Sequence, residues 1–230
     1  MFKSLNQITI GILGGIGPES SAEFYYRLIK EIQQKFNICS TSDFPHIIIN
    51  SIAIKDMVEP NIKNSQIKPI LNGLKELDFF KPDFNAIICN SANSYYDYLT
   101  QNTSTEILNL RTIVKKYIDK EQLNKIGVLG TYTTLNKLYN YSDKVVITVP
   151  NSMSKRINAI IIDINRGKSI NEYELKDPIS YLVSQGAERI ILGCTEIGLI
   201  GKNYSNTIDP MDLLLKEIIE RISLLLKTQS

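Results

Sequence analysis

The sequence predicts an α/β fold made of two pseudo-symmetric, Rossmann-like domains. Short β-branched apolar runs alternate with amphipathic stretches over all 230 residues, which is the order typical of parallel sheets with helical connections. The runs are nearly continuous in apolar residues, as in parallel strands that helices cover on both faces. Two sequence blocks also occur twice, in the same order. We therefore expect two mainly four-stranded parallel sheets flanked by helices, with an active site between the domains.

Eight apolar runs predict the strands, because each run is short and rich in Ile, Val or Leu. In chain order they span residues 8–13, 47–50, 86–89, 106–110, 125–129, 144–149, 189–194 and 207–209.

Helices are predicted from the amphipathic stretches between these runs. The first opens with Pro18, which a first helical turn tolerates, and Asp209 caps the last ahead of Pro210. The predicted helices span residues 18–36, 67–79, 111–123, 152–166, 178–185 and 209–227.

The repeated blocks pair a glycine-flanked strand with a strand that ends in Cys. Residues 11–14 read Gly-Ile-Leu-Gly, and residues 127–130 read Gly-Val-Leu-Gly. Downstream of each block, residues 86–91 and 190–195 carry an apolar strand, then Cys and small polar side chains. Two related halves would explain this order, and chance similarity between β-branched strands is the alternative.

The repeat divides the chain into two predicted domains. Residues 1–105 with 210–230 form the first, which carries Cys89, and residues 106–209 form the second, which carries Cys194. Each Cys stands at the carboxyl end of a strand, where open α/β sheets bind ligands. A following helix start would favour the thiolate, so we expect lowered thiol pKa values.

Two thiols that face each other suit the inversion of a stereocentre. Such a reaction needs a base on one face of a carbon and an acid on the other, and Cys can serve in either role. The alternative is that a buried Cys is only a small apolar side chain, a reading weakened by the matched positions of Cys89 and Cys194. Cys39 lacks this context and is expected to be incidental.

Composition excludes several function classes. With 26 Lys and Arg against 24 Asp and Glu, the net charge is +2, which gives no reason to expect nucleic acid or a membrane as partner. Three Cys without a CxxC pattern and a single His predict no metal site. No apolar run approaches the ~20 residues that span a bilayer, and the start shows no leader pattern, so a cytoplasmic location is expected.

Nucleotide-binding and hydrolase alternatives fit poorly. The glycines at positions 11, 14, 15 and 17 follow neither the GxGxxG nor the GxxxxGK[ST] pattern. A Cys–His hydrolase would need His46, which is distant in sequence from both Cys blocks, and no GxSxG occurs.

Five blocks resemble the aspartate/glutamate racemase family of cofactor-independent amino-acid racemases, and aspartate racemases most of all. They are the segments 11–20, 89–92, 129–134, 193–196 and 208–212. The resemblance implies that Cys89 and Cys194 exchange the proton, without a cofactor, in a chain expected to form a homodimer. It also implies a set of substrate-binding residues: Lys55, Asn90, Ser91, Thr131, Thr134, Arg156, Thr195 and Glu196.

Within this resemblance, Arg156 lies near the place where similar aspartate racemases carry a Lys for the side-chain carboxylate, and Lys55 is a second cation. Asn93 stands where many members have His. The expected reaction interconverts L- and D-aspartate. Three alternatives remain open: a glutamate racemase, a maleate-isomerase-like relative on the same scaffold, and a non-catalytic protein that binds acidic amino acids.

Overall fold

The computed structural model describes residues 3–60 and 62–227, which form two parallel β-sheets flanked by helices. The first sheet has the order β2-β1-β3 and the second the order β5-β4-β6-β7. The strands are β1 (Thr9–Gly14), β2 (His46–Ser51), β3 (Phe84–Ile87), β4 (Lys125–Gly130), β5 (Val145–Thr148), β6 (Arg189–Gly193) and β7 (Thr207–Ile208).

The long helices lie close to the predicted positions, and three short α-helices and a π-helix are added to them. The long ones are α1 (Pro18–Phe36), α2 (Asn64–Asp78), α5 (Leu110–Lys120), α6 (Asn151–Asn165), α7 (Lys176–Ser184) and α9 (Pro210–Lys227). The short helices α3 (Asn90–Asn93), α4 (Tyr96–Thr100) and α8 (Thr195–Gly201), and a π-helix over Thr134–Leu138, were not predicted. Three 3₁₀ turns span Leu5–Gln7, Thr41–Asp43 and Glu172–Leu175.

The two sheets repeat one arrangement, which confirms the predicted fold class. In each sheet, the first strand of that half is central, and it pairs in parallel with the next two strands. Strands β1, β2 and β3 therefore correspond to β4, β5 and β6. Cys89 follows β3 and Cys194 follows β6. The matched sequence blocks thus occupy matched places in the two halves.

The first sheet lacks the predicted fourth strand. Residues 106–110 contribute a single parallel bridge between Asn85 and Ile107, with the Leu108 amide donating to the Asn85 carbonyl at 2.8 Å. The run stops there because Asn109 caps α5 by accepting the Thr112 amide. The first sheet therefore has three strands and a bridge, whereas the prediction gave four.

One apolar core cluster joins the two halves. It includes Ile10 of β1, Val128 of β4 and Ile218 of α9, and α9 packs against both α1 and α5. The division at residues 105/106 and 209/210 remains a prediction. Across residues 3–60 and 62–227, no helix is both long and apolar enough to cross a bilayer.

Candidate active site

Both predicted catalytic thiols line one cavity of about 190 Å³, where the carboxyl ends of the two sheets meet. This volume is below the range of about 300–1,000 Å³ usual for drug-sized ligands, so the cavity suits a smaller molecule. A larger groove of about 770 Å³ between α1 and α9 contains neither thiol. The lining residues of the smaller cavity are 15–18, 54–58, Cys89, Ser91, Thr131, Ile161, Asn165, Arg166, Cys194 and Glu196.

Cys89 sits in extended backbone as the N-cap of α3. The Ala92 amide donates to its Sγ at 3.5 Å. Asn93 fixes the strand end below it, since its Nδ2 donates to the Ile87 carbonyl at 3.0 Å and to the Cys89 carbonyl at 2.8 Å. Asn93 therefore holds the backbone around this thiol in place.

Cys194 occupies the matched N-cap position of α8. The Cys89 sulfur accepts a hydrogen bond, whereas the Cys194 thiol donates one. Its thiol donates to Glu196 Oε2 at 2.8 Å, and the Thr195 hydroxyl donates to the same oxygen at 3.0 Å. Gly17 makes room for this carboxylate, because a Cβ there would lie 2.3 Å from Glu196 Oε1. The glycine-rich segment after β1 thus leaves space for the carboxylate that Cys194 contacts.

Burial controls the acidity of both thiols. It raises the pKa of Cys89 to about 12 and the pKa of Cys194 well above its ordinary value, and the nearby Glu196 carboxylate adds to both shifts. The expectation of lowered pKa values is therefore wrong. Loss of water around a thiolate outweighs the few backbone amides at the helix starts, so both thiols are protonated at neutral pH.

Three buried hydroxyls connect the first Cys block to the second half. Ser91 Oγ lies 2.8 Å from Thr131 Oγ1 and 3.4 Å from Thr134 Oγ1, and the two Thr oxygens are 3.0 Å apart. Ser91 and Thr131 line the cavity, whereas Thr134 lies behind them. These hydroxyls, predicted as substrate ligands, form one cluster that can donate to an anion.

Asn90 and Thr195 are buried beside the cavity and are not among its lining residues. Asn90 Oδ1 accepts a hydrogen bond from the Tyr139 hydroxyl. Thr195 acts on the site through its bond to Glu196. The structure thus places both directly behind the residues that face the cavity.

Of the two predicted cations, only Lys55 lines the cavity, and its ammonium is 2.6 Å from Glu59. Arg156 does not line the cavity. Its guanidinium is half exposed and pairs with Glu174 at 2.8 Å and with Asp177 at 3.5 Å. The structure does not bring Arg156 to the cavity as expected, because its guanidinium is held outside by Glu174, in the 3₁₀ turn before α7, and by Asp177, in the first turn of α7.

Arg166 is the cavity cation that the sequence analysis missed. It ends α6 as the C-cap and lines the cavity with Ile161 and Asn165 from the same helix. Among the described residues it takes part in no ion pair. Its only sequence signal is a basic residue before a glycine at a helix end, a pattern that usually marks a cap.

A hydrogen bond between two lining residues of the cavity joins the two halves. Asn165 Nδ2 donates to Asp56 Oδ1 at 2.9 Å, which joins the segment after β2 to the end of α6. Asp56 and Glu196 thus bring negative charge to a cavity that also holds two cations. Over residues 3–60 and 62–227, no group of three or more His, Cys, Asp or Glu side chains could hold a metal ion.

Known proteins share this fold. An aspartate racemase homologue from Pyrococcus horikoshii OT3 matches with a TM-score of 0.72 at 25% identity, over 94% of this chain and 99% of that one. Picrophilus torridus aspartate racemase matches in fold with a TM-score of 0.74 at 20% identity, over 94% of each chain. The sequence model of the Asp/Glu/Hydantoin racemase family matches residues 13–218.

The chain belongs to the Asp/Glu/Hydantoin racemase family. Among characterised sequences, a broad specificity amino-acid racemase, RacX of Bacillus subtilis (strain 168), is 27% identical over 210 residues, which are 88% of this chain and 92% of that protein. The family resemblance inferred from the Cys blocks is thereby confirmed.

Proposed function

We propose that the chain is an amino-acid racemase that inverts Cα with two thiols and without a cofactor, and that aspartate is its substrate. One observation carries the proposal. Cys89 and Cys194, buried at matched strand ends of the two halves, line the same small cavity. That arrangement meets the need for one proton acceptor and one proton donor on the two faces of a carbon.

The proposed proton transfers balance over one turnover. A thiolate on one side takes the Cα proton and becomes a thiol, while the C–H electron pair stays on the substrate as a carbanion. The opposite thiol gives its proton to the other face of Cα and becomes the thiolate. The reverse reaction exchanges the roles of Cys89 and Cys194.

Glu196 is the proton acceptor beside Cys194, although its negative charge also raises the pKa of that thiol. Its Oε2 lies 2.8 Å from Cys194 Sγ, so the carboxylate can accept the thiol proton. The Cys89 sulfur instead accepts a hydrogen bond from the Ala92 amide. The two thiols therefore differ in how they become thiolates, although their positions are matched.

The carbanion needs stabilisation in a closed site. As Cα loses its proton, negative charge spreads into the substrate α-carboxylate. Donors that are held in place beforehand stabilise such charge at little reorganisation cost. Ser91 and Thr131 face the cavity with the connected hydroxyl of Thr134 behind them, and we assign the α-carboxylate to this cluster.

Arg166 supports an acidic substrate. Removing a second carboxylate from water is unfavourable unless a cation meets it, and a guanidinium can do so with two parallel hydrogen bonds. Lys55 is already paired with Glu59, so Arg166 is the more available of the two cavity cations. The small cavity favours aspartate, and one further methylene discriminates against glutamate by only about 1–3 kcal/mol.

A broader substrate range is the second candidate. The name of RacX, a broad specificity amino-acid racemase, suggests it, and the cavity offers charges of both signs. Asp56 and Glu196 could meet a cationic group as Arg166 meets an anionic one.

Racemisation with each enantiomer tests the proposal. Purified protein without added cofactor is incubated separately with L- and D-aspartate, and with the enantiomers of glutamate, alanine and lysine, while optical rotation is followed. Loss of rotation with aspartate from both directions is expected. Incubation in deuterated water separates the remaining alternative, because a protein that only binds acidic amino acids leaves the Cα proton unexchanged.

A further inference from the structure

A second, much smaller cavity lies behind the helix that follows Cys194. Its volume is about 10 Å³, close to the roughly 10–15 Å³ that one water molecule needs. Three of its lining residues carry side-chain oxygens from different elements: Ser20 of α1, Thr195 of α8 and Asp209 just before α9. None of the three lines the active-site cavity. The small cavity is therefore a separate, polar space.

Ser20 brings a buried hydroxyl to this cavity. The residue is only 5% exposed, and its Oγ has no hydrogen-bond partner among the described residues. The next residue, Ser21, satisfies its own hydroxyl by donating to the Gly17 carbonyl at 2.8 Å. A buried polar group without a partner is unfavourable and calls for an explanation. A bound water supplies one, because Ser20 lines a space of the right size.

Asp209 brings an acceptor to the same cavity. Its Oδ1 accepts the Met211 amide at 2.9 Å, while Oδ2 lies 3.5 Å from the Arg27 guanidinium, which is long for a charge-assisted hydrogen bond. A carboxylate can accept about four hydrogen bonds, so Asp209 retains acceptor capacity. The carboxylate also lies directly against α8, since a Cβ at Gly198 would be 3.2 Å from Oδ1.

Thr195 joins the small cavity to the second thiol. Its hydroxyl donates to Glu196 Oε2 at 3.0 Å, the same oxygen to which the Cys194 thiol donates. Because its one proton is committed to Glu196, the Thr195 hydroxyl can only accept a further hydrogen bond. One water then suits all three oxygens: it donates to Thr195 and to Asp209, and it accepts the proton of Ser20. Three hydrogen bonds are the usual number for a buried water.

We propose that the small cavity is a binding site for one structural water, through which Ser20 and Asp209 act as positioning residues for the Cys194 side of the active site. The positioning role rests on the proposed racemase function. A water that donates to Thr195 strengthens the bond from Thr195 to Glu196, since hydrogen bonds in a chain polarise one another. The Glu196 carboxylate is thereby held against the Cys194 thiol.

A high-resolution crystal structure of the wild-type chain tests the water site itself. Density is expected for one water within hydrogen-bond distance of Ser20 Oγ, Thr195 Oγ1 and an Asp209 carboxylate oxygen. A dry cavity overturns the proposal. This measurement does not depend on catalysis, so it separates the site from the reaction. A chain that holds the water but racemises no amino acid overturns the proposed function, and the positioning role with it.

Ser20→Val tests the positioning role, because the larger apolar side chain fills the cavity and excludes the water. The kcat for aspartate should fall roughly 3-fold to 10-fold, the range for a lost hydrogen bond. Ala22→Val places the same side chain at an exposed position of the same helix and should stay within about twofold of the wild type. A Ser20→Val variant with the kcat of Ala22→Val overturns the positioning role.

A double-mutant cycle shows whether the effect passes through the Thr195 hydroxyl. Adding Ser20→Val to Thr195→Val should lower kcat little beyond Thr195→Val alone, since residues that act through one contact are not additive. A side chain that only displaced α8 would lower kcat by the same factor in both backgrounds, and that result overturns the positioning role. Thermal unfolding identifies variants that do not fold, and if Ser20→Val is one of them the crystal structure decides.

Discussion

Arg166→Ala separates the proposed acidic specificity from a generic amino-acid pocket. Arg166 lines the cavity and, among the described residues, forms no ion pair, so a substrate carboxylate would not have to displace a partner. Alanine has no such group to lose. We therefore expect the ratio of kcat/KM for aspartate to that for alanine to fall when Arg166 is removed.

The magnitude follows from the exposure of Arg166. Water retained around the exposed guanidinium screens the pair, so the value for an exposed ion pair applies, about 0.2–1 kcal/mol. At about 1.4 kcal/mol per factor of ten, this is a roughly 1.4-fold to 5-fold fall in the ratio.

The chain supplies a matched control on the same helix. Arg156→Ala removes an identical side chain that pairs with Glu174 and Asp177 outside the cavity, so the aspartate-to-alanine ratio should not change. Initial rates of racemisation are measured with both substrates for wild type and both variants. An unchanged ratio in Arg166→Ala, or an equal fall in Arg156→Ala, would refute the assignment of Arg166.

Three further predictions concern pH and cofactors. Because the raised pKa of Cys89 and of Cys194 leaves little thiolate at neutral pH, kcat/KM should rise from about pH 6 to about pH 8, by up to roughly tenfold per pH unit. A flat profile over that range would contradict protonated resting thiols. The folded pKa of Cys89 is raised from 9.0 to about 12, so its contribution to stability is complete below pH 9.0 and is lost as the pH climbs toward about 12. Chemical denaturation should show Cys89→Ala losing less stability than wild type over that window. Dialysis against EDTA and hydroxylamine should leave racemisation unchanged, whereas activity restored only by pyridoxal phosphate or a metal would exclude the two-thiol mechanism.

The central positions of the fold and site were accessible from the sequence. Continuous apolar runs identify buried parallel strands. A Cys at the end of each of two corresponding runs places each thiol at the carboxyl edge of its sheet. Pro18 marked the start of α1, which spans Pro18–Phe36 as predicted. Such signals can be read from the sequence because they depend on the conformations that the local backbone can adopt.

The features that could not be predicted from the sequence depend on contacts between distant parts of the chain. The strand at 106–110 was shortened by the cap at Asn109, and thiol acidity was set by burial that no local motif reports. Arg156 and Arg166 lie on one helix, and only the packing of α6 decides which of them meets the cavity. The π-helix and the contact between Tyr139 and Asn90 likewise arise from tertiary packing.

The most direct test of the two-thiol mechanism is the racemisation rate of three single Cys→Ser variants. Cys89→Ser and Cys194→Ser should each lower kcat by about 10²–10⁴-fold or more, the contribution of an acid–base group, from either enantiomer of aspartate. Cys39→Ser changes an exposed thiol outside the cavity and should match wild type. A Cys194→Ser or Cys89→Ser variant that racemises aspartate at the wild-type rate would contradict the mechanism.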